Sequence, residues 1–244
     1  MGIAPAGDDL HALEQAITPR TRGIIVVHPN NPTGHYTKAD EIARLNQLCA
    51  ANDMAIIADE VFLDFSLSGT SQKSFVANRA ALTFTMSGVS KVSGLPQMKF
   101  SWLAVSGPDA LKREALARLE MIADTYLSMN APIQLAAPVL LRQRAGFQPQ
   151  LMARIRKNLR ELDSQLAGQT HARRLEIEGG WYAVLRVTAT RSGEELAIEL
   201  LEKHGVYVHP GHFYDFPGEG HLVLSLIAGE QEFCEGMRRL LSRK

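Results

Sequence analysis

The first half of the chain alternates short apolar runs with stretches of helical periodicity. Leu10, Leu13 and Ile17 fall on one face of a helix predicted over 8–17, and Ile42, Leu45 and Leu48 on one face of a second over 38–52. Around them lie runs of strand length: Gly23 to Val27, Met54 to Ala58 with Asp59 at its end, Ala81 to Met86, and Phe100 to Val105. Strands apolar on both faces, with helices between some of them, predict an α/β fold whose mostly parallel sheet is flanked by helices. Helical patterning then covers 108–128 and 132–168. In the latter Leu151, Ile155, Leu159, Leu162 and Leu166 make one stripe, and Arg154, Arg156 and Lys157 fall off it as a solvated face requires. Strands at 174–178 and 181–187, a helix over 193–204, and short runs at 206–208 and 222–226 complete a small α+β unit. The change of pattern places a boundary near 145, giving units 1–145 and 146–244.

Composition narrows the function classes. Of the 244 residues 45% are hydrophobic and 21% charged, the balance of a globular chain able to bury a sizeable core. The formal net charge is zero, so no global field favours nucleic acid or a membrane surface as partner. No apolar run reaches the roughly 20 residues that span a bilayer, and the start Met1-Gly2-Ile3-Ala4-Pro5 lacks the charged and apolar regions of a secretory signal. The two cysteines, Cys49 and Cys234, are far apart and show no metal-ligand spacing. Cys49 continues a helical apolar stripe and reads as a buried thiol. A cytoplasmic protein without disulfides or metal is the expectation.

Four polar features begin where apolar strands stop, the place where open α/β sheets bind ligands. His28-Pro29-Asn30-Asn31-Pro32-Thr33-Gly34 has the residues of a tight turn. Ala58-Asp59-Glu60-Val61-Phe62 puts a carboxylate at the mouth of a strand. Ser87-Gly88-Val89-Ser90-Lys91-Val92-Ser93-Gly94-Leu95-Pro96 sets a lysine among small and apolar residues, where burial would disfavour the charged amine and leave it nucleophilic. Lys99 follows, ahead of Phe100-Ser101-Trp102. Taken singly, each feature also has an ordinary structural explanation.

In order and spacing, Asn30-Asn31-Pro32-Thr33-Gly34, Asp59-Glu60-Val61 and Ser90-Lys91 with Gly94-Leu95-Pro96 resemble the class I/II aminotransferases, fold-type I enzymes dependent on pyridoxal 5'-phosphate. The resemblance runs from about residue 8 to the C-terminus. It implies that Lys91 holds the cofactor as a Schiff base and then shuttles the proton between the substrate Cα and the cofactor. It also implies that Asn31 bonds the phenolic oxygen, Asp59 keeps the pyridine nitrogen protonated, and Ser90 and Lys99 hold the phosphate. The implied partners are an amino donor, a 2-oxo acid acceptor and a second copy of the chain in a homodimer.

Five departures accompany the resemblance. Lys99 stands where the family usually has arginine, Phe62 where it commonly has tyrosine, and Gly88 where many relatives have serine. In Leu222-Val223-Leu224-Ser225-Leu226, Val223 occupies the place of the arginine that clamps the substrate carboxylate; nearby His209 to Tyr214 is a candidate lining. Relatives also carry a long stretch before the Asn-Pro-Thr-Gly segment, so the large cofactor-binding unit is expected to be incomplete at its N-terminus. A lyase or decarboxylase on the same fold, a non-catalytic sensor domain and an inactive fragment are the other readings.

Overall fold

A computed structural model describes residues 9–126, 129–188 and 191–242. Asp8 and Ser128, the outer positions of two predicted helices, and the Met1 to Gly7 stretch lie outside the described residues. The chain opens with α1 (Asp9–Ala16), β1 (Gly23–Val27), α2 (Ala39–Ala51), β2 (Ala55–Asp59), β3 (Thr83–Gly88), the single turn α3 (Val89–Val92) and β4 (Ser101–Ser106). These strands form one sheet in the order β1-β2-β3-β4, with the first three parallel and β4 running back against β3. The apolar faces read from the sequence meet as expected: Leu45, Leu48 and Cys49 of α2 pack with Ile24, Ile56 and Ala58. Cys49 is buried, and burial pushes its thiol up to about 11.

Three helices follow: α4 (Asp109–Thr125), α5 (Ala131–Arg142) and α6 (Arg144–Leu166). The sequence pattern predicted mostly helical structure over 132–168; the structure shows two helices there that meet at Gln143. The second sheet is antiparallel, order β5-β6-β8-β7, from β5 (Ala172–Arg174), β6 (Tyr182–Val187), β7 (His209–Pro210) and β8 (His221–Ser225). Helices α6, α7 (Gly193–His204) and α8 (Glu230–Leu241) supply its core, with Ile155, Leu162, Leu200, Phe233 and Leu240 against Leu185, Leu222 and Leu224. Two short strands differ from the predicted spans 174–178 and 206–208 by a few residues. Helix α8 was not predicted, although Phe233, Met237, Leu240 and Leu241 form its buried stripe.

The segment leading into β6 reaches back over the first sheet as a short strap. Leu67 N–H donates to Glu178 O and Gly180 N–H to Phe65 O, both at 2.9 Å, and Ser66 bridges Gly179. The Glu178 carboxylate accepts from Tyr36 N–H at 3.0 Å and from the Lys38 ammonium at 2.5 Å, with His35 Nδ1 3.3 Å away. The turn after β1 comes so close that a Cβ on Gly34 would lie 2.4 Å from Gly179 O, and one on Gly179 2.6 Å from the Tyr36 ring. Gly34 also has φ +74°, which only glycine adopts freely.

Beneath this contact, Glu60 is buried and accepts from Ser74 Oγ and Phe75 N, each at 2.6 Å, which fixes the fully buried Phe75. Burial holds its carboxyl above the usual 4.5. His28 is likewise buried and neutral in character. Its Nδ1 accepts from Thr37 N–H at 3.1 Å, its Nε2 lies 3.2 Å from Lys73 O, and burial lowers its basicity.

Two outcomes follow from these contacts. Gly34→Ala is expected to cost about 2–3 kcal/mol in denaturant unfolding, whereas Gly146→Ala, with open space around it inside α6, is expected to be neutral or mildly stabilising. For Glu60 the folded pKa is raised, so the group favours folding most below its unfolded value and loses that contribution as pH rises toward the folded one. The stability of the native chain relative to Glu60→Gln is therefore expected to fall as pH rises above the usual 4.5; a difference independent of pH would contradict this.

Candidate active site

Val27, Asp59 and Met86 are side by side in register, so the carboxyl ends of β1, β2 and β3 make one edge. Asn31 leaves β1 in the turn, Asp59 terminates β2, and Ser90 and Lys91 lie in α3 directly after β3. Because Ser101 opposes Gly88 across the antiparallel pair, Lys99 returns to the same edge. All five side chains expected from the sequence thus share one edge of one sheet. Among the described residues no hydrogen bond or ion pair joins any of them to another. Lys99 is the outlier, exposed and in the left-handed conformation at φ 52°.

Lys91 is half-buried and has no acidic partner within ion-pair distance among the described residues. Its ammonium instead lies 5.4 Å from the Trp181 ring and 5.9 Å from the Phe62 ring, a cation–π arrangement. The two rings meet edge to face at 5.2 Å. Trp181 was not singled out in the sequence; the one local signal was the Gly179-Gly180 pair before it, which permits the strap to approach closely. The Asp59 carboxylate accepts from Val61 N–H at 3.1 Å and has no cationic partner among the described residues. The Asn31 side-chain oxygen and Trp181 Nε1 are both buried without a hydrogen-bond partner. Buried polar groups are rarely left so, and a bound ligand is one way to satisfy them.

The departures noted in the sequence have local causes or consequences. A Cβ at Gly88 would lie 2.8 Å from Phe100 O and 3.1 Å from Ser101 Cβ, so a serine does not fit there without movement of β4. Phe62 is buried among Phe65, Trp181 and Tyr182. Val223 is buried with Val184 and Phe216 in a small apolar cluster on the outer face of the second sheet. His209 bonds the hydroxyl groups of Tyr214 (2.8 Å) and Tyr207 (3.0 Å), while His212 is exposed. No cluster of three or more His, Cys, Asp or Glu placed to hold a metal, and no helix long and apolar enough to cross a membrane, occurs among the described residues.

This arrangement has clear relatives. The family model for aminotransferase class I and II matches residues 6–234. An arginine–pyruvate transaminase of Pseudomonas aeruginosa is 30% identical over 227 residues, which cover 92% of this chain and 56% of that protein. Among solved structures, an alanine aminotransferase from Pyrococcus furiosus superposes with a TM-score of 0.81 at 21% identity, covering 95% of this chain and 59% of the other. A PLP-dependent aminotransferase from Streptococcus suis gives 0.77 at 21% identity, with 95% and 59% covered. The chain therefore spans little more than half the length of the proteins it matches. The match over residues 6–234 shows the family: the chain belongs to the class I and II aminotransferases, a pyridoxal-phosphate-dependent family.

Proposed function

We propose that this chain carries the lysine-bearing part of an aminotransferase that moves an amino group from an amino acid or amine to a 2-oxo acid. The observation that carries this reading is the emergence of Asn31, Asp59 and Lys91 from the ends of three adjacent parallel strands, with the Asn31 oxygen orphaned beside them. The residues fit pyridoxal phosphate: an amine, an unneutralised carboxylate, an unsatisfied amide, a hydroxyl and a rim ammonium. When bound, that cofactor supplies a conjugated cationic ring that accepts electrons from the substrate Cα.

The chain's own groups have distinct parts in this reading. Lys91 covalently anchors the cofactor and afterwards holds and returns the proton of the substrate Cα. Asp59 keeps the ring nitrogen protonated, and Asn31 orients the ring through its oxygen. Ser90 and Lys99 bind the phosphate, Lys99 as a point charge rather than a planar fork. Phe62 and Trp181 wall the Lys91 amine and limit water around it. The names of the relatives, an arginine–pyruvate and an alanine aminotransferase, support an amino acid and 2-oxo acid pair. The apolar setting of Val223 offers no cation for a carboxylate, which favours a substrate whose carboxylate is held elsewhere or is absent.

The same reading divides the chain into a partial large unit, 1–145, and a small unit, 146–244, with the helix break at Gln143 in support. A homodimer is supported by α4, which leaves Leu111, Leu116, Met121, Ile122 and Tyr126 exposed. Two unpaired cysteines favour a reducing cytoplasm.

Mixed with pyridoxal phosphate, the purified chain is expected to develop a visible absorption band that Lys91→Ala abolishes and Asp59→Asn shifts. Titration with simple amines should bleach the band more readily than titration with amino acids. Absence of any band at millimolar cofactor would contradict the proposal for this chain. Sedimentation equilibrium is expected to give twice the 26.8 kDa chain mass; a monomer at all concentrations would contradict the dimer.

A further inference from the structure

The second sheet has one face in the core and one turned away from it. Ala172, Ala183, Leu185, Val187, Leu222 and Leu224 belong to the core cluster. By strand alternation Arg173, Arg186 and His221 lie on the opposite face. Register makes them a row: Arg173 is directly across from Arg186, and Arg186 from His221. Like charges at directly opposed positions repel, and sheets ordinarily pair opposite charges there. Here neither arginine has a carboxylate within 4.0 Å among the described residues, although the adjacent Arg174 is paired with Asp163.

The row borders a cavity of about 440 Å³, lined by Gln169, His171, Arg173, Arg186, Thr188 and Glu219 among others. The one acid there, Glu219, is engaged with Gly193 N–H at 2.5 Å. His171 Nε2 is buried with no partner, as is Nδ1 of His221, a residue only 8% exposed. Burial and the charge of Arg186 together lower the basicity of His221, so the arginine's field is felt across the row. Two guanidinium forks, one unsatisfied imidazole nitrogen (His171 Nε2) and a hydroxyl around an open space match an acceptor-rich anion.

We propose that this cavity binds a small oxyanion of two negative charges, a phosphate group or a dicarboxylate, at a site separate from the Lys91 edge. The anion would bridge Arg173 and Arg186 and convert their repulsion into two charge-assisted pairings. This reading does not depend on the proposed aminotransfer.

Isothermal titration of the full chain with sodium phosphate, and separately with disodium succinate, at ionic strength matched with chloride, tests it. Saturable binding is expected. Arg173→Gln and Arg186→Gln should each weaken it about tenfold or more, the loss of one charge-assisted pairing, while Lys112→Gln on α4 should leave it unchanged. Binding of phosphate alone or of succinate alone identifies which anion class the site accepts. Without added anion, the two arginine variants should melt at or above the temperature of the native chain at low salt, because each removes the repulsion. The proposal is overturned if neither anion binds beyond chloride, if binding is retained undiminished in the arginine variants, or if both variants melt lower in the absence of anion.

Discussion

The approach of two backbone segments at Gly34 and Gly179 governs the geometry of the candidate site. The turn leaving β1 carries Asn31, and the strap ahead of β6 carries Trp181; each segment has a glycine where the other leaves no room for a Cβ. Glu178 secures the contact by accepting from Tyr36 and Lys38. From that fixed point Trp181 reaches Phe62 and, with it, the Lys91 ammonium. The segment before β6 therefore does more than connect elements. It furnishes one wall of the space around the lysine, and a change that loosens the strap alters the environment of Lys91 without touching the sheet.

The sheet contributes a different constraint. Three parallel strands that end level with one another deliver an amide, a carboxylate and an amine to one edge, while their apolar bodies are fixed by α2 and the core beneath. The polar groups that stabilise the supporting loop, Glu60 and His28, are buried and satisfied within the protein. At the edge Asn31 has an orphaned oxygen and, among the described residues, Asp59 has no cationic partner and Lys91 no anionic one.

Much of this was legible in the sequence because the signals were local. Runs such as Gly23 to Val27 are apolar at successive positions, so their strand character and the α/β class follow from composition over five or six residues, although Ile25 is exposed in the structure. Asn31, Asp59 and Lys91 each stand just past such a run. What stayed hidden depended on contacts between distant segments. Trp181 sits over Lys91 because of the strap, and the Gly179-Gly180 pair before it marks a close approach without saying to what. The break at Gln143 and the short strands β5 and β7 depend on tertiary packing that overrides weak local preference. Helix α8 was obscured by its many charges, which mask a stripe of only four buried side chains. The Arg173–Arg186 pair becomes visible only once the register of β5 against β6 is known.

The central claim is that Lys91, and no other lysine, is the amine that anchors pyridoxal phosphate at this edge. Treating the chain with the cofactor, reducing the adduct with borohydride and mapping the modified peptides by mass spectrometry measures that directly. The account predicts one stoichiometric modification, on the peptide containing Lys91. Modification spread over exposed lysines, or concentrated at Lys99 with Lys91 unmodified, would contradict it.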